Sequence, residues 1–118
     1  MITLYGIKNC DTVKKARKWL EKNGVEYTFH DFREDGMESV PVAKWLKESG
    51  WENVLNRRST SWRALTDEQK EKMDNALALT LATETPTLIK RPVTESAGET
   101  RFGFKEKEFS ELLEKGTN

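Results

Sequence analysis

At 118 residues the chain is long enough for one modest hydrophobic core and too short for two. Charged residues make up 34% of it, but Lys plus Arg and Asp plus Glu both number 20, so no overall field draws it to nucleic acid or an anionic membrane, and any anion site must be local. Hydrophobic residues at 36%, with four Trp and five Phe, argue against a disordered chain, and apolar runs of only a few residues exclude a membrane-spanning helix.

Met1-Ile2-Thr3-Leu4-Tyr5 lacks the basic and apolar regions of a signal peptide and reads as structure from the start, so the cytoplasm is the expected location. Ile2 to Tyr5 is an apolar, β-rich run ended by Gly6. After Cys10 the period changes: Val13, Ala16, Arg17 and Leu20 share a helical face with Trp19 beside it, and Asn23-Gly24 supplies the stop. Val25 to Phe32 alternates with period two and completes a βαβ unit. Ser39, or the Asp35-Gly36 turn, is expected to open a second helix with Val42, Ala43, Trp45 and Leu46 as its apolar set, closed by Gly50.

Trp51 to Leu81 carries no strand signal, and Thr66-Asp67-Glu68-Gln69 has capping-box spacing ahead of Met73, Ala76, Leu77 and Leu81. The expectation is a helical insertion over about residues 51–82. Strand character returns at Thr87-Leu88-Ile89-Lys90, continues through Pro92-Val93-Thr94, turns at Ala97-Gly98 and resumes from Glu99 to Phe104. Lys105 to Lys115 places Phe109, Leu112 and Leu113 at helical spacing, and Gly116-Thr117-Asn118 is expected to be a mobile tail. The pattern predicts one α/β domain over residues 1–115, with a mixed four-stranded sheet built as βαβ then ββα around the insertion.

The chemistry centres on Cys10. A single cysteine makes no intramolecular disulfide, and one Cys with one His cannot supply a tetrahedral metal set unaided, so no metal site is expected. Cys10 lies where a loop meets a helix N-terminus, and there unpaired backbone N–H groups and the helix dipole stabilise a thiolate or hold an oxyanion. Lys8 and Lys14 favour the thiolate further; Asp11 opposes them. The alternative is an inert packed thiol, free Cys being among the most buried residue types.

Three segments carry a family resemblance: Tyr5-Gly6-Ile7-Lys8-Asn9-Cys10-Asp11-Thr12-Val13-Lys14-Lys15-Ala16, Trp51 through Leu65, and Ile89-Lys90-Arg91-Pro92-Val93. With them the chain resembles the arsenate reductase (ArsC), Spx and YffB group over essentially its whole length, which implies a thioredoxin-like fold. It is most similar to the YffB-type branch, which lacks a second thiol where a thioredoxin has one; here that position is Val13. A monothiol that attacks oxidised sulfur ends as a covalent adduct, and a thiol from elsewhere must resolve it. The resemblance therefore implies a thiol reductase with glutathione or a glutaredoxin as partner, a small oxidised-thiol or oxyanion substrate, and no bound cofactor.

The same resemblance assigns further residues. The family's arginine before a cis-proline maps onto Arg91-Pro92, where a guanidinium fork suits a carboxylate or oxyanion. A second arginine maps onto Arg58, with Arg57 the neighbouring candidate, and Lys8 joins them as an anion-binding residue. Arsenate reductases have a histidine four residues before the cysteine, where this chain has Gly6, and a further arginine where it has Phe104, so the oxyanion cradle is incomplete. Three readings follow: a glutathione-dependent thiol-disulfide oxidoreductase, an arsenate reductase, and an Spx-like regulator that binds RNA polymerase. Val13 removes the Cys-x-x-Cys switch common in redox-sensing Spx proteins. His30, beside Asp31, reads as a structural or surface residue, and Trp19, Trp45, Trp51 and Trp62 as packing residues more than a nucleic-acid platform.

Overall fold

Ile2, Leu4 and Gly6 are buried while Thr3 and Tyr5 are partly exposed, the period-two burial of a strand covered on one side. This is β1 (Ile2–Gly6) in a computed structural model that describes residues 2–96 and 98–116, with side chains described through residue 111. A 12-residue helix, α1 (Asp11–Lys22), carries the chain to β2 (Tyr27–Asp31), which pairs with β1 in parallel, Ile2 opposite Tyr27 and Gly6 opposite Asp31. On the other side β1 pairs antiparallel with β3 (Val93–Ser96), and β3 with β4 (Glu99–Phe102), giving the sheet order β2-β1-β3-β4.

Helix α1 buries Val13, Ala16 and Leu20, spaced by three and four residues along one stripe. Ala16 and Leu20 meet Ile2 and Leu4 of β1 and Phe109 of the final helix. Phe109 receives the edges or faces of two other rings, Trp19 at 5.6 Å and Phe104 at 4.9 Å, both at 82°. On the flank of α1, Arg17 donates to the Tyr27 hydroxyl at 3.0 Å and lays its guanidinium 4.2 Å from the centre of the Phe29 ring.

The chain forms two compact units, one from residues up to Asp35 together with those from Arg91 onward, the other Gly36–Lys90. The first carries the sheet, α1 and the C-terminal helix; its βαβ and ββα halves, joined antiparallel through β1 and β3, form a thioredoxin-like fold. The second is helical among the described residues: α2 (Val42–Ser49), α3 (Trp51–Val54), α4 (Thr60–Arg63), α5 (Asp67–Glu71) and α6 (Asn75–Glu84), then a 3-10 turn at Pro86–Leu88. Its core includes Trp45, Leu46, Val54, Leu55, Ala78, Ala82, Leu88 and Ile89. Among the described residues no helix is long and apolar enough to cross a membrane.

Several expected boundaries move. Helix α2 opens at Val42 behind Pro41, not at Ser39 or the Asp35-Gly36 turn, because a residue before proline is held out of helical conformation. Ala43 is exposed, and the inward face is Val42, Trp45 and Leu46. The capping box at Thr66 and Gln69 forms, but it starts only the short α5; α6 has its own cap at Asp74, which turns Ala78 and Ala82 inward and leaves Ala76 outside. Residues 87–90 are not a strand: Pro86 starts the 3-10 turn, and Ile89 makes one isolated bridge to Leu55. The second strand is also shorter than Val25 to Phe32, and β4 stops at Phe102 because Gly103 takes a positive φ of 86°.

The last helix, α7, runs Glu106–Gly116, which brings Gly116 into the helix. Ala97 of the expected turn, and Thr117 and Asn118 of the expected tail, lie outside the described residues, as do the side chains of Leu112 and Leu113.

Candidate functional site

The loop from β1 to α1 is three residues of turn and then Cys10. The Cys10 amide donates to the Ile7 carbonyl at 3.0 Å, closing the turn, and the Cys10 carbonyl accepts from the Lys14 amide at 2.9 Å as the first bond of α1. Cys10 is thus the N-cap of α1, in extended conformation (φ −80°, ψ 126°), and its side chain makes no capping hydrogen bond. The first-turn amides of Asp11, Thr12 and Val13 keep their capacity to donate to an anion, and the thiol beside them is partly exposed.

Beneath the loop, Val13 is wholly buried against Gly6. A Cβ at position 6 would lie 2.7 Å from Val13 Cγ2, closer than real Cβ contacts allow, so the Val13 methyls occupy the space a side chain at Gly6 would need. Two features noted separately in the sequence, the missing histidine and the missing second thiol, are therefore one packed pair. Phe104, where an arginine stands in arsenate reductases, is packed edge to face on Phe109.

Asp31 holds the loop from the side. At the end of β2 it is only 3% exposed, and its carboxylate accepts from the backbone amides of Lys8 at 3.0 Å, Arg33 at 2.8 Å and Glu34 at 3.0 Å. Burial pushes this carboxyl upward, but the three amides and the Lys8 charge together hold it below the usual aspartate range. The Phe32 amide donates to the Gly6 carbonyl at 2.8 Å, so the exits of β1 and β2 are joined at two points. The exposed Lys8 ammonium pairs with Glu34, whose hydrogen bond and charge keep Lys8 protonated above the ordinary lysine range.

Arg91 and Pro92 come to the same end of the sheet. Tyr5 is opposite Val93 in the β1–β3 register, so Pro92 comes level with Gly6, the last residue of β1, and Arg91 with the start of the Cys10 loop. The Arg91–Pro92 peptide bond is cis, Pro92 is buried, and the Pro92 carbonyl accepts from Gly103 at 2.8 Å. Arg91 is half-buried. Lys8, Cys10, Arg91 and Pro92 all belong to the sheet unit.

Arg58 does not; it belongs to the helical unit, between α3 and α4, exposed and with its amide donating to Asn56 Oδ1 at 3.0 Å. Its neighbour Arg57 stands over the Trp51 ring at 5.7 Å, and Trp51 stacks on Trp62 at 5.9 Å and 8°. Arg57 and Arg58 are both exposed, and Arg57 alone of the two has a ring beneath its guanidinium. His30 sets its ring 5.5 Å from that of Tyr5, and burial, then Glu95, raise the Tyr5 phenol well above its usual range. Among the described residues no three His, Cys, Asp or Glu side chains converge as metal ligands. Asp31 and Glu34 escaped the sequence reading; the one available signal was an acidic residue ending a strand that alternates correctly.

A mixed four-stranded sheet of order β2-β1-β3-β4, with a lone cysteine at the head of the helix that follows its first strand, defines a thioredoxin-like protein. The chain matches the ArsC family over residues 5–112, and it belongs to that family. It is 47% identical to an uncharacterized protein of Haemophilus influenzae over 92% of this chain and 96% of that one. It is similar at 44% identity to the solved YffB protein, with a TM-score of 0.89, covering 96% of this chain and 99% of that one. A global transcriptional regulator, Spx 1 of Lactococcus lactis, is 30% identical over 96% of this chain and 89% of its own length.

Proposed function

We propose that the protein is a cytoplasmic, glutathione-dependent thiol-disulfide oxidoreductase with Cys10 as its single nucleophile. The observation that carries this is a partly exposed thiol at an uncapped helix N-terminus with the buried Val13, not a second thiol, one turn further on. The Cys10 thiolate attacks a mixed disulfide between substrate and glutathione; a Cys10–glutathione disulfide forms, and the substrate thiolate leaves and takes a proton. A second glutathione, as thiolate, attacks the glutathione sulfur of that adduct, releasing oxidised glutathione and restoring Cys10. The substrate is reduced by two electrons and two glutathiones are joined, so the cycle needs an external reductase to return them.

Arg91 is the residue for a carboxylate of the anionic partner, and the family resemblance supports Arg58, in the helical unit, as a further anion-binding residue. Lys8 serves only when an incoming anion competes with Glu34 for it.

The test is an assay coupled to NADPH, glutathione reductase and glutathione, offering a glutathione mixed disulfide and arsenate separately to wild type and Cys10→Ser. Mixed-disulfide turnover lost in Cys10→Ser is the expected result, while Cys10-dependent turnover of arsenate alone reverses the assignment. A regulatory reading is favoured by one finding, the 30% identity to an Spx regulator. Silence on both substrates with polymerase co-purifying would establish it instead.

A further inference from the structure

Among the described residues Asp31 is the charged residue that is buried outright, and none of its three hydrogen bonds serves a helix. Two of them, from Arg33 and Glu34 at 2.8 and 3.0 Å, fold the chain leaving β2 into a turn around its own carboxylate. The third reaches across 23 positions of sequence to the Lys8 amide at 3.0 Å, two residues before the cysteine. The Asp31 amide in turn donates to Asp35 Oδ2 at 2.9 Å, which fixes the strand end that bears the carboxylate. Lys8 and Cys10 belong to one closed turn through the Ile7 carbonyl, so a hold on the Lys8 amide is a hold on the placement of Cys10.

We propose that Asp31 is a positioning residue for Cys10: its carboxylate clamps the Lys8 amide and so keeps the thiol at the head of α1. The proposal rests on the reading of Cys10 as the nucleophile, but its test does not depend on which substrate the enzyme turns over. Asp31→Asn keeps the volume and gives up one acceptor oxygen. The amide oriented to serve Arg33 and Glu34 turns its NH2 toward the Lys8 N–H, two donors face each other, and the loop is released.

Positioning and plain charge predict opposite signs. Removing a negative charge near a thiol favours the thiolate and speeds alkylation; releasing the loop from the helix head disfavours the thiolate and slows it. Iodoacetamide alkylation of Cys10 in folded Asp31→Asn, at neutral pH, is expected to fall about tenfold, with the midpoint of its pH profile moved upward. Glu34→Gln, which removes the exposed partner of the Lys8 side chain and leaves every backbone bond to Asp31, is the control and is expected to stay within about twofold of wild type.

Alkylation that is unchanged or faster in folded Asp31→Asn overturns the proposal. If that variant does not fold, hydrogen exchange in the wild type decides. The Lys8 amide is expected to be protected relative to that of Asn9, and equal exchange at the two would overturn the clamp. Loss of mixed-disulfide turnover in the wild type would sink the enzymatic reading while leaving both outcomes readable.

Discussion

Gly6 and Val13 show how a site's chemistry is decided by packing at single residues. The Val13 methyls stand where a Cβ on Gly6 would go, so Gly6→Ala forces a β-branched helix residue with little rotamer freedom to move. We expect a loss of about 1–3 kcal/mol in chemical denaturation. Val13→Ala in the same chain should relieve the clash, making the pair strongly coupled in a double-mutant cycle. Additive losses would mean the contact is not the cause. At the neighbouring level of chemistry, Val13→Cys supplies the absent second thiol one turn from Cys10. Challenged with oxidised glutathione, the wild type should hold a glutathione adduct seen by mass spectrometry, whereas Val13→Cys should lose it to an internal disulfide. The sequence displayed Cys10, Gly6 and Val13 individually, but not that Gly6 and Val13 touch, since that contact depends on how α1 settles on β1. Asp31 was hidden for the same reason: the partner that gives it meaning is 23 residues away.

Among elements, those with strong local signals were legible and those ruled by proline were not. The period of α1 and the alternation of β1 led to the observed structures because each buries one continuous stripe. Thr66 and Gln69 close a reciprocal capping box on α5 with bonds of 3.1 and 2.9 Å. Thr66→Ala should cost about 1 kcal/mol in denaturant unfolding, and a value near zero would show that α5 frays in the native state. Two of the boundaries that failed lie at Pro41 and Pro86. There a missing N–H or a restricted neighbour overrode the helix opening expected at Ser39 and the strand expected from residue 87. The contact of Arg57 with the Trp51 ring was not legible either, because it depends on how the turn between α3 and α4 folds back on α3.

For the molecule as a whole, equal numbers of acidic and basic residues mean that acid stability turns on particular carboxylates more than on a net field. Asp31 is one of them. Its carboxyl titrates below the ordinary range in the folded chain and within that range when unfolded, so the unfolded state binds a proton first as the medium is acidified. The stabilisation is therefore fully present above the unfolded value and is lost as pH falls through the folded one. The stability gap between wild type and Asp31→Asn should be widest near neutrality and close below about pH 4, which thermal melts across that window would measure. A gap independent of pH would mean that the carboxylate's charge contributes nothing.

The contact between Gly6 and Val13 also makes the two positions exclusive of one another. A histidine at position 6 meets a steric wall as long as valine stands at 13. A residue at 13 with no γ atom, alanine for one, removes the wall. A side chain at position 6 is thus accommodated only in a chain whose residue 13 has already given up the methyl that fills the space.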